Sequence, residues 1–430
     1  MKKQQYQRLN ETIYEETLDN GLQVFVLPKK GFRQTYVNFT TRYGSIDSEF
    51  IVPRRQERIK VPDGIAHFLE HKMFEEEHGD VFMEFAKTGA SANAFTTFDT
   101  TTYLFSSTVE VERNLEILLN FVQNPYFTDE NVEKEKGIIG QEIKMYEDNP
   151  NWRVYFGLLQ GLYGDYPVAI DIAGTIDSIA KITKETLYDC YYTFYHPSNM
   201  ALFVVGDVDP ARILHLVQAN QSAKGYEAQA PIERFYPELP KQIARKRTES
   251  TLDISQPRVL FGFREQHIEP KPTARQKREA AMEVWMDCLF GRSSQHYQKL
   301  IDDGLTDQGF GSEYELTHLY GHSIFGGNSK RPEELILRVQ NLLLEYADKG
   351  IDEADFLRSK KKAIGRFMAL LDSPQGIANV YVSQKLRGLD VLTSLDVLQN
   401  LDLHDVNQTL REHVVDNTMA ISLISPEKGK

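Results

Sequence analysis

Two kinds of hydrophobic pattern alternate along this chain. Short runs of β-branched and aromatic residues such as "QTYVNFTTRYG", "TTYLFSSTV" and "NMALFVVGDVDP" read as strands, and longer stretches with apolar residues every three or four positions read as helices. The order of these elements then repeats. The first half runs from "QTYVNFTTRYG" through a helix around His67, the strand "TTYLFSSTV" and the helical stretch "RNLEILLNFVQNPYFTDENVEKEKGIIGQEIKMYE" to "NMALFVVGDVDP". The second half runs from "PRVLFGFRE" through a helix in "AMEVWMDCLFGRSSQHYQKL", the strand "GHSIFGGNS" and the helical stretch "EELILRVQNLLLEYADKGIDEADFLRSKKKAIGRFMALL" to "TMAISLISPEKG". A repeat spaced at about half the chain predicts duplicated domains. Strands mixed with helices in this way predict α+β halves with mainly antiparallel sheets packed with helices.

A polar, proline-bearing stretch from Ala219 to Arg247 separates the halves. The expected layout is a domain over 1–222, a linker over 223–247 and a homologous domain over 248–430. The chain, at 430 residues, is too long for one ordinary core, in keeping with two domains. A formal net charge of -13 argues against nucleic acid or an anionic membrane as partner. No apolar run is long enough to span a bilayer, and the N-terminus lacks the apolar core of a secretory signal, so a cytoplasmic protein is expected. The two cysteines, Cys190 and Cys288, sit in amphipathic stretches and read as buried structural thiols.

The segment "HFLEHKMFEEE" changes the picture. Residues four apart on a helix lie one turn above each other, with Cβ atoms about 5–6 Å apart. His67 and His71 can therefore bring both imidazoles to one Zn²⁺ at about 2.0–2.1 Å. Glu70, next to His71 and one turn from His67, points slightly off the metal, where a carboxylate reaches water without being a ligand. Asp63, just upstream, is a candidate cap. The plainer alternative is two partly exposed histidines on an amphipathic helix.

A catalytic zinc needs a third protein ligand and an open position. In the helix expected over Asp129 to Glu147, Val132, Ile138, Ile139 and Ile143 share a face at about 3.6 residues per turn. Glu135 and Glu142 fall in the middle of that face. Two carboxylates on a buried stripe are unfavourable unless a cation or hydrogen bonds pair them. Metal ligation accounts for at least one, and an ordinary surface position is the alternative for either. Finally, "NAFTTFDTTTYLF" alternates small or polar residues with aromatics. An exposed strand edge there would accept an extended peptide by β-augmentation, with an ordinary core strand as the alternative.

These residues resemble the inverted zinc-peptidase family of pitrilysin, insulin-degrading enzyme and the mitochondrial processing peptidase. The similarity lies in "GIAHFLEHKMF", "GASANAFTTFDTTTYLF", "EKEKGIIGQEI", "FYHPSNMALFVVGDVDP" and the two-half layout, and it spans essentially the whole chain. It points to the short bacterial members. The resemblance implies a zinc-dependent endopeptidase for short or unfolded peptides, built as two homologous halves that form a clamshell chamber, with one Zn²⁺ per chain. It makes His67 and His71 zinc ligands and Glu142 the carboxylate ligand. It makes Glu70 the general base and Glu135 an acid that supports the site from behind the ligands. It makes Phe74 an apolar residue of the cleft, and Asn93 and Ala94 part of the edge strand on which substrate is laid.

The pattern also breaks. The second half has no H-x-x-E-H, and its long helix offers Arg358, Lys360 to Lys362 and Arg366 in place of Glu135 and Glu142, so one metal site is expected. Self-sufficient family members carry an Arg and a Tyr seven residues apart in the stretch that matches "YQKLIDDGLTDQGFGS" of this chain. Here Ile301 or Leu300 stands for the Arg and Asp307 or Gln308 for the Tyr. That resembles the zinc subunit of two-chain members and implies a metal-free homologous partner in a heterodimer, with a homodimer as the alternative. The stretch "GSIDSEFIVPRRQERIKVPDG" reads as an extra hairpin whose basic residues form a solvated loop, with contact to a partner as the alternative. A competing reading is a scaffolding or peptide-binding homologue without catalysis; the retained set His67, Glu70, His71 and Glu142 argues against it.

Overall fold

The β-branched runs pair into two sheets in the computed structural model, which describes residues 1–77 and 79–427. The first sheet contains β1 (Lys2–Tyr6), β2 (Glu11–Thr17), β3 (Gln23–Pro28), β4 (Thr35–Thr41), β5 (Ser91–Thr96), β6 (Thr101–Ser107) and β7 (Met200–Gly206), in the order β1-β2-β3-β7-β4-β6-β5. The second contains β8 (Arg247–Leu252), β9 (Arg258–Phe263), β10 (Gly311–Leu316), β11 (Gly321–Asn328) and β12 (Met419–Pro426), in the order β8-β12-β9-β11-β10. Neighbours are antiparallel, except that β3 pairs with β7 and β8 with β12 in parallel. From β3 onward the first sheet therefore matches the second strand for strand, as the repeated pattern predicts. Strands β1 and β2 are an addition at the far edge. Every residue of the central strands β4 and β7 is buried, whereas β5, at the opposite edge, is only half-buried.

The helices used below are α1 (Ile65–Lys72), α2 (Asp129–Glu147), α3 (Pro150–Tyr163), α4 (Pro272–Phe290), α5 (Glu353–Leu371) and α6 (Pro374–Leu386). Two compact units form, and neither is a continuous half. One gathers Met1–Ile143, Asp171–Tyr236 and Leu370–Leu386; the other gathers Lys144–Ile170, Pro237–Ala369 and Arg387–Lys430. The halves exchange a helix. Helix α3, from the first half of the sequence, packs on β12, β9 and β8, and α6, from the second half, packs on β7 and β4. Glycine permits the first of these contacts: a Cβ on Gly157 would lie 2.4 Å from Ser422 Oγ, and one on Gly161 3.1 Å from Ala420 Cβ. On the other side the Tyr381 ring stacks on Phe203 at 4.6 Å and meets Phe25 edge-on at 5.4 Å. Hydrophobic periodicity marks both helices but does not say which sheet each will cover, so a partition at 223–247 describes the repeat rather than the packing.

The linker differs from expectation in two respects. The helix Pro210–Lys224 runs on to Gly225, whose left-handed φ of 61° ends it, so the extended segment starts there. Within it, Phe235 N–H donates to Glu49 O at 2.8 Å and Ile51 N–H donates to Glu233 O at 3.0 Å. The linker thus lines a hairpin of Glu49–Val52 and Glu57–Lys60. That hairpin is the extra element seen in the sequence, and its arginines are exposed, as a solvated loop would have them, though each also has a partner. Arg55 forms two hydrogen bonds to Asp189 (2.7 and 2.8 Å), Arg54 covers the Tyr192 ring at 3.8 Å and Arg58 covers Phe235 at 3.9 Å. Both cysteines are free and buried. No helix among the described residues is long and apolar enough to cross a membrane.

Gly157→Leu should lower the melting temperature by several degrees, since overpacking of this kind is worth about 1–3 kcal/mol. Gly137→Ala, where nothing lies within 4 Å of an added Cβ, should leave it unchanged or raise it. Calorimetry of the two variants checks this, and equal melting temperatures would remove the close approach of α3 as a constraint.

Candidate metal centre

Helix α1 begins at Gly64, whose φ of 88° is left-handed and whose Cβ, if present, would lie 2.4 Å from Ala173 O. Glycine is required on both counts. The expected cap, Asp63, does not cap the helix; its carbonyl instead accepts a hydrogen bond from Ser178 Oγ at 2.8 Å. Ile65, Ala66, Phe68 and Leu69 are buried. This seats α1 so that His67 and Glu70 are buried too, at 8% exposure each, while His71 stays half-buried.

On α2, Val132, Ile139 and Ile143 form the buried stripe. Ile138, expected in that stripe, is 47% exposed. At about 100° per residue, Glu135 and Glu142 lie on the flank between the apolar stripe and Ile138. They are therefore at the border of the core, not at its centre. Glu135 is buried and Glu142 half-buried.

The two helices bring the three ligand candidates together. His67 Nε2 is 3.8 Å from Glu142 Oε1 and His71 Nε2 is 3.5 Å from Glu142 Oε2. One donor atom from each of His67, His71 and Glu142 can be chosen so that all lie within 4.8 Å of one another. Ligands at about 2.0–2.2 Å from a tetrahedral cation lie about 3.3–3.6 Å apart. The residues present therefore fit a divalent cation with a small inward adjustment, and two imidazoles with one carboxylate suit zinc. His71 Nδ1 is 3.1 Å from Glu135 Oε1. With its proton on Nδ1 and donated to Glu135, His71 keeps the Nε2 lone pair for a cation.

Burial, reinforced by the adjacent His71 ring, pushes His67 down to about 4, so it is neutral near pH 7. Burial acts the same way on His71, but its hydrogen bond to Glu135 and the nearby carboxylates of Glu70, Glu142 and Glu135 outweigh it and raise its pKa. Burial raises Glu70 above its ordinary value although Thr96 and His71 pull the other way. A carboxylate so raised is a stronger base.

The structure places the remaining predicted residues around this group. Strand β5 is the sheet edge, and Ala94 N–H donates to the Asn93 side-chain oxygen at 2.9 Å. Phe74 is half-buried and stacks on Phe82 at 4.3 Å, with Phe121 at 5.2 Å and Tyr103 at 5.9 Å. Sequence reasoning missed two residues. Thr96 Oγ1 donates to Glu70 Oε2 at 2.6 Å; the signal was its place two residues past Ala94, on the same strand face. Lys72 is fully buried and pairs with Glu75, and nothing in its surroundings in the sequence announced that.

The second unit repeats the helix pair without the ligands. Helices α2 and α5 both have 19 residues, and each is followed by a helix that starts at a proline, Pro150 or Pro374. Counted from their starts, Arg366 occupies the rung of Glu142 and Ser359 that of Glu135. On α4, Glu283 and Asp287 stand four apart. Arg366 Nη2 and Lys362 Nζ each lie 2.7 Å from Asp287 Oδ1, and Arg366 Nε lies 3.8 Å from Glu283. Among the described residues, His67, His71 and Glu142 form the one group that could hold a metal ion.

Residues 55–176 match the family described as Insulinase (Peptidase family M16), and residues 181–363 match the Peptidase M16 inactive domain. The chain is 45% identical over 423 residues to YmfH of Bacillus subtilis (strain 168), described as an uncharacterized zinc protease, across 98% of this chain and 99% of that protein. It is similar to an M16-like peptidase from Alicyclobacillus acidocaldarius with a TM-score of 0.93 and 43% identity, across 97% of this chain and 99% of that one. Pitrilysin shares the fold at a TM-score of 0.75 and 14% identity, across 99% of this chain and 46% of that one.

After zinc loading and removal of excess metal, the chain should retain one equivalent by atomic absorption, and His67→Ala and Glu142→Gln should retain almost none. Glu135→Gln should still bind, about 10–100-fold more weakly. Full retention by Glu142→Gln would take that residue out of the ligand set.

Proposed function

The chain belongs to peptidase family M16, and from that premise we propose that it is a zinc-dependent endopeptidase acting on short or unfolded peptides. One observation carries the reading. Three ligand atoms converge beside a buried carboxylate, Glu70, and that carboxylate is hydrogen-bonded to the strand at the free edge of the sheet. Zinc, when bound by His67, His71 and Glu142, supplies Lewis acidity that activates water and polarises a carbonyl.

The chain's own residues do the rest. Glu70, beside the ligand group and with a raised proton affinity, takes the proton of the attacking water and returns it to the leaving amine. Glu135 holds the His71 ring in the orientation that leaves Nε2 for the metal. The edge of β5 receives an extended peptide backbone, with Asn93 releasing the Ala94 N–H to a peptide carbonyl. Phe74, on its aromatic cluster, offers an apolar surface beside the site.

A metal-free homologous subunit completes the enzyme in this reading. Of the residues that stand for the family's substrate-binding Arg and Tyr, Leu300 is buried, Ile301 is half-buried, Gln308 is exposed, and Asp307 accepts hydrogen bonds from Gly309 N–H at 2.8 Å and Asn328 Nδ2 at 3.1 Å.

The test is cleavage of a quenched unfolded peptide by the zinc-loaded chain, alone and with a metal-free homologue. Wild type should cleave, more so with the homologue, and Glu70→Gln should lose about 10²–10⁴-fold while keeping its zinc. Zinc-loaded wild type that cleaves nothing in either condition would move the chain to the scaffolding or peptide-binding reading.

A further inference from the structure

The Glu70 carboxylate is 8% exposed, yet among the described residues it receives one side-chain hydrogen bond, from Thr96 Oγ1 at 2.6 Å. A buried carboxylate has room for several donors, so the orientation of this one depends on a single hydroxyl. Among the described residues, none of the other hydroxyls around it is hydrogen-bonded to it. Thr101 Oγ1, 3.4 Å from Thr96 Oγ1, donates to Tyr43 O at 2.9 Å, and the Tyr103 and Tyr195 hydroxyls bond to each other at 2.8 Å. Thr96 ends β5, which has one strand neighbour, β6, paired from Thr96↔Thr101 to Ser91↔Ser106.

We propose that Thr96 is a positioning residue: its hydroxyl, anchored on the free edge strand, holds Glu70 in the orientation from which it takes the proton of the attacking water. The proposal rests on the peptidase reading. It also couples the two parts of the site. A peptide paired along β5 gives that strand a second neighbour and stiffens it, and the stiffening reaches the base through one hydrogen bond. Thr96 touches neither the metal ligands nor the reacting atoms, so its effect falls on the rate of the chemical step and not on peptide affinity.

The experiment compares zinc-loaded wild type, Thr96→Val, Thr96→Ser, Glu70→Gln and the double variant Thr96→Val/Glu70→Gln, each with the metal-free homologue present. Thr96→Val, which keeps the β-branched shape, should lower kcat about 10–100-fold with KM changed by less than about twofold. Thr96→Ser should recover kcat to within about threefold of wild type. The double variant should be no slower than Glu70→Gln alone, because the two residues act as one unit. Crystal structures of the zinc-loaded proteins should show Glu70 in one shared rotamer in wild type and Thr96→Ser, and displaced or spread over several in Thr96→Val. Unchanged kcat in Thr96→Val, or a loss that Ser does not restore, overturns the proposal. Should wild type cleave nothing, the peptidase reading fails separately, and an unmoved Glu70 in crystalline Thr96→Val would still overturn the positioning role.

Discussion

Five titratable side chains, His67, Glu70, His71, Glu135 and Glu142, share one small volume bounded by α1, α2 and β5, and three of them are at most 8% exposed. Carboxylates withdrawn from water without a compensating charge are strongly disfavoured. Here burial, reinforced by the His71 ring, drives His67 down, and burial, reinforced by the Glu142 carboxylate, drives Glu70 up. Neutralising the imidazoles does not solve the problem, because the carboxylates remain. A divalent cation does, since it turns the groups that repel one another into its ligands. The local architecture follows from this need. Helix α1 starts at a glycine pressed against Ala173 so that its histidines reach α2, and Glu135 and Glu142 are set at the border of the apolar stripe, where a cation can approach from solvent.

That placement is possible because a duplicated sheet-and-helix unit surrounds it. Strands β3 to β7 and β8 to β12 share one topology, and α3 and α6 cross to cover the sheet of the opposite repeat. The exchange makes the chain interdependent over long range: the sheet that carries β5 gains part of its cover from residues near position 380, through Tyr381 against Phe25 and Phe203. Glycines at 157 and 161 are what the reciprocal contact requires on the other side.

The spacing of His67, Glu70 and His71, and the seven-residue step from Glu135 to Glu142, were legible because helical periodicity converts directly into proximity on one face. The duplicated α+β halves were legible for a similar reason, since patterning repeats with the fold. What periodicity could not supply was the neighbour. Ile138 is apolar, but its phase sets it beyond Glu135 and Glu142 from the buried stripe, and it is exposed. Asp63 has the right chemistry for a cap, but the chain enters α1 through left-handed Gly64, which takes the cap position and leaves no side-chain cap. Arg54, Arg55 and Arg58 read as a free basic loop because Asp189, Tyr192 and Phe235, their partners, lie more than a hundred residues downstream. Thr96 was hidden in a threonine-rich stretch where only the approach of α1 distinguishes it from its neighbours.

The second unit shows the same constraint met by other means. Its helix pair keeps the i,i+4 placement of two polar groups, now Glu283 and Asp287, facing the long helix. Two acids there raise the same desolvation problem, and the long helix answers with Lys362 and Arg366. Burial and Asp287 push Glu283 above its ordinary value even beside those cations. Arg366 on the rung of Glu142 does more than remove a ligand. A fixed guanidinium charge at that position repels a divalent ion from the remaining carboxylates and satisfies them itself. The repeat therefore keeps its helix packing with Lys362 and Arg366 against the acids, where the first unit has His67, His71 and Glu142 as a group that could hold a metal ion.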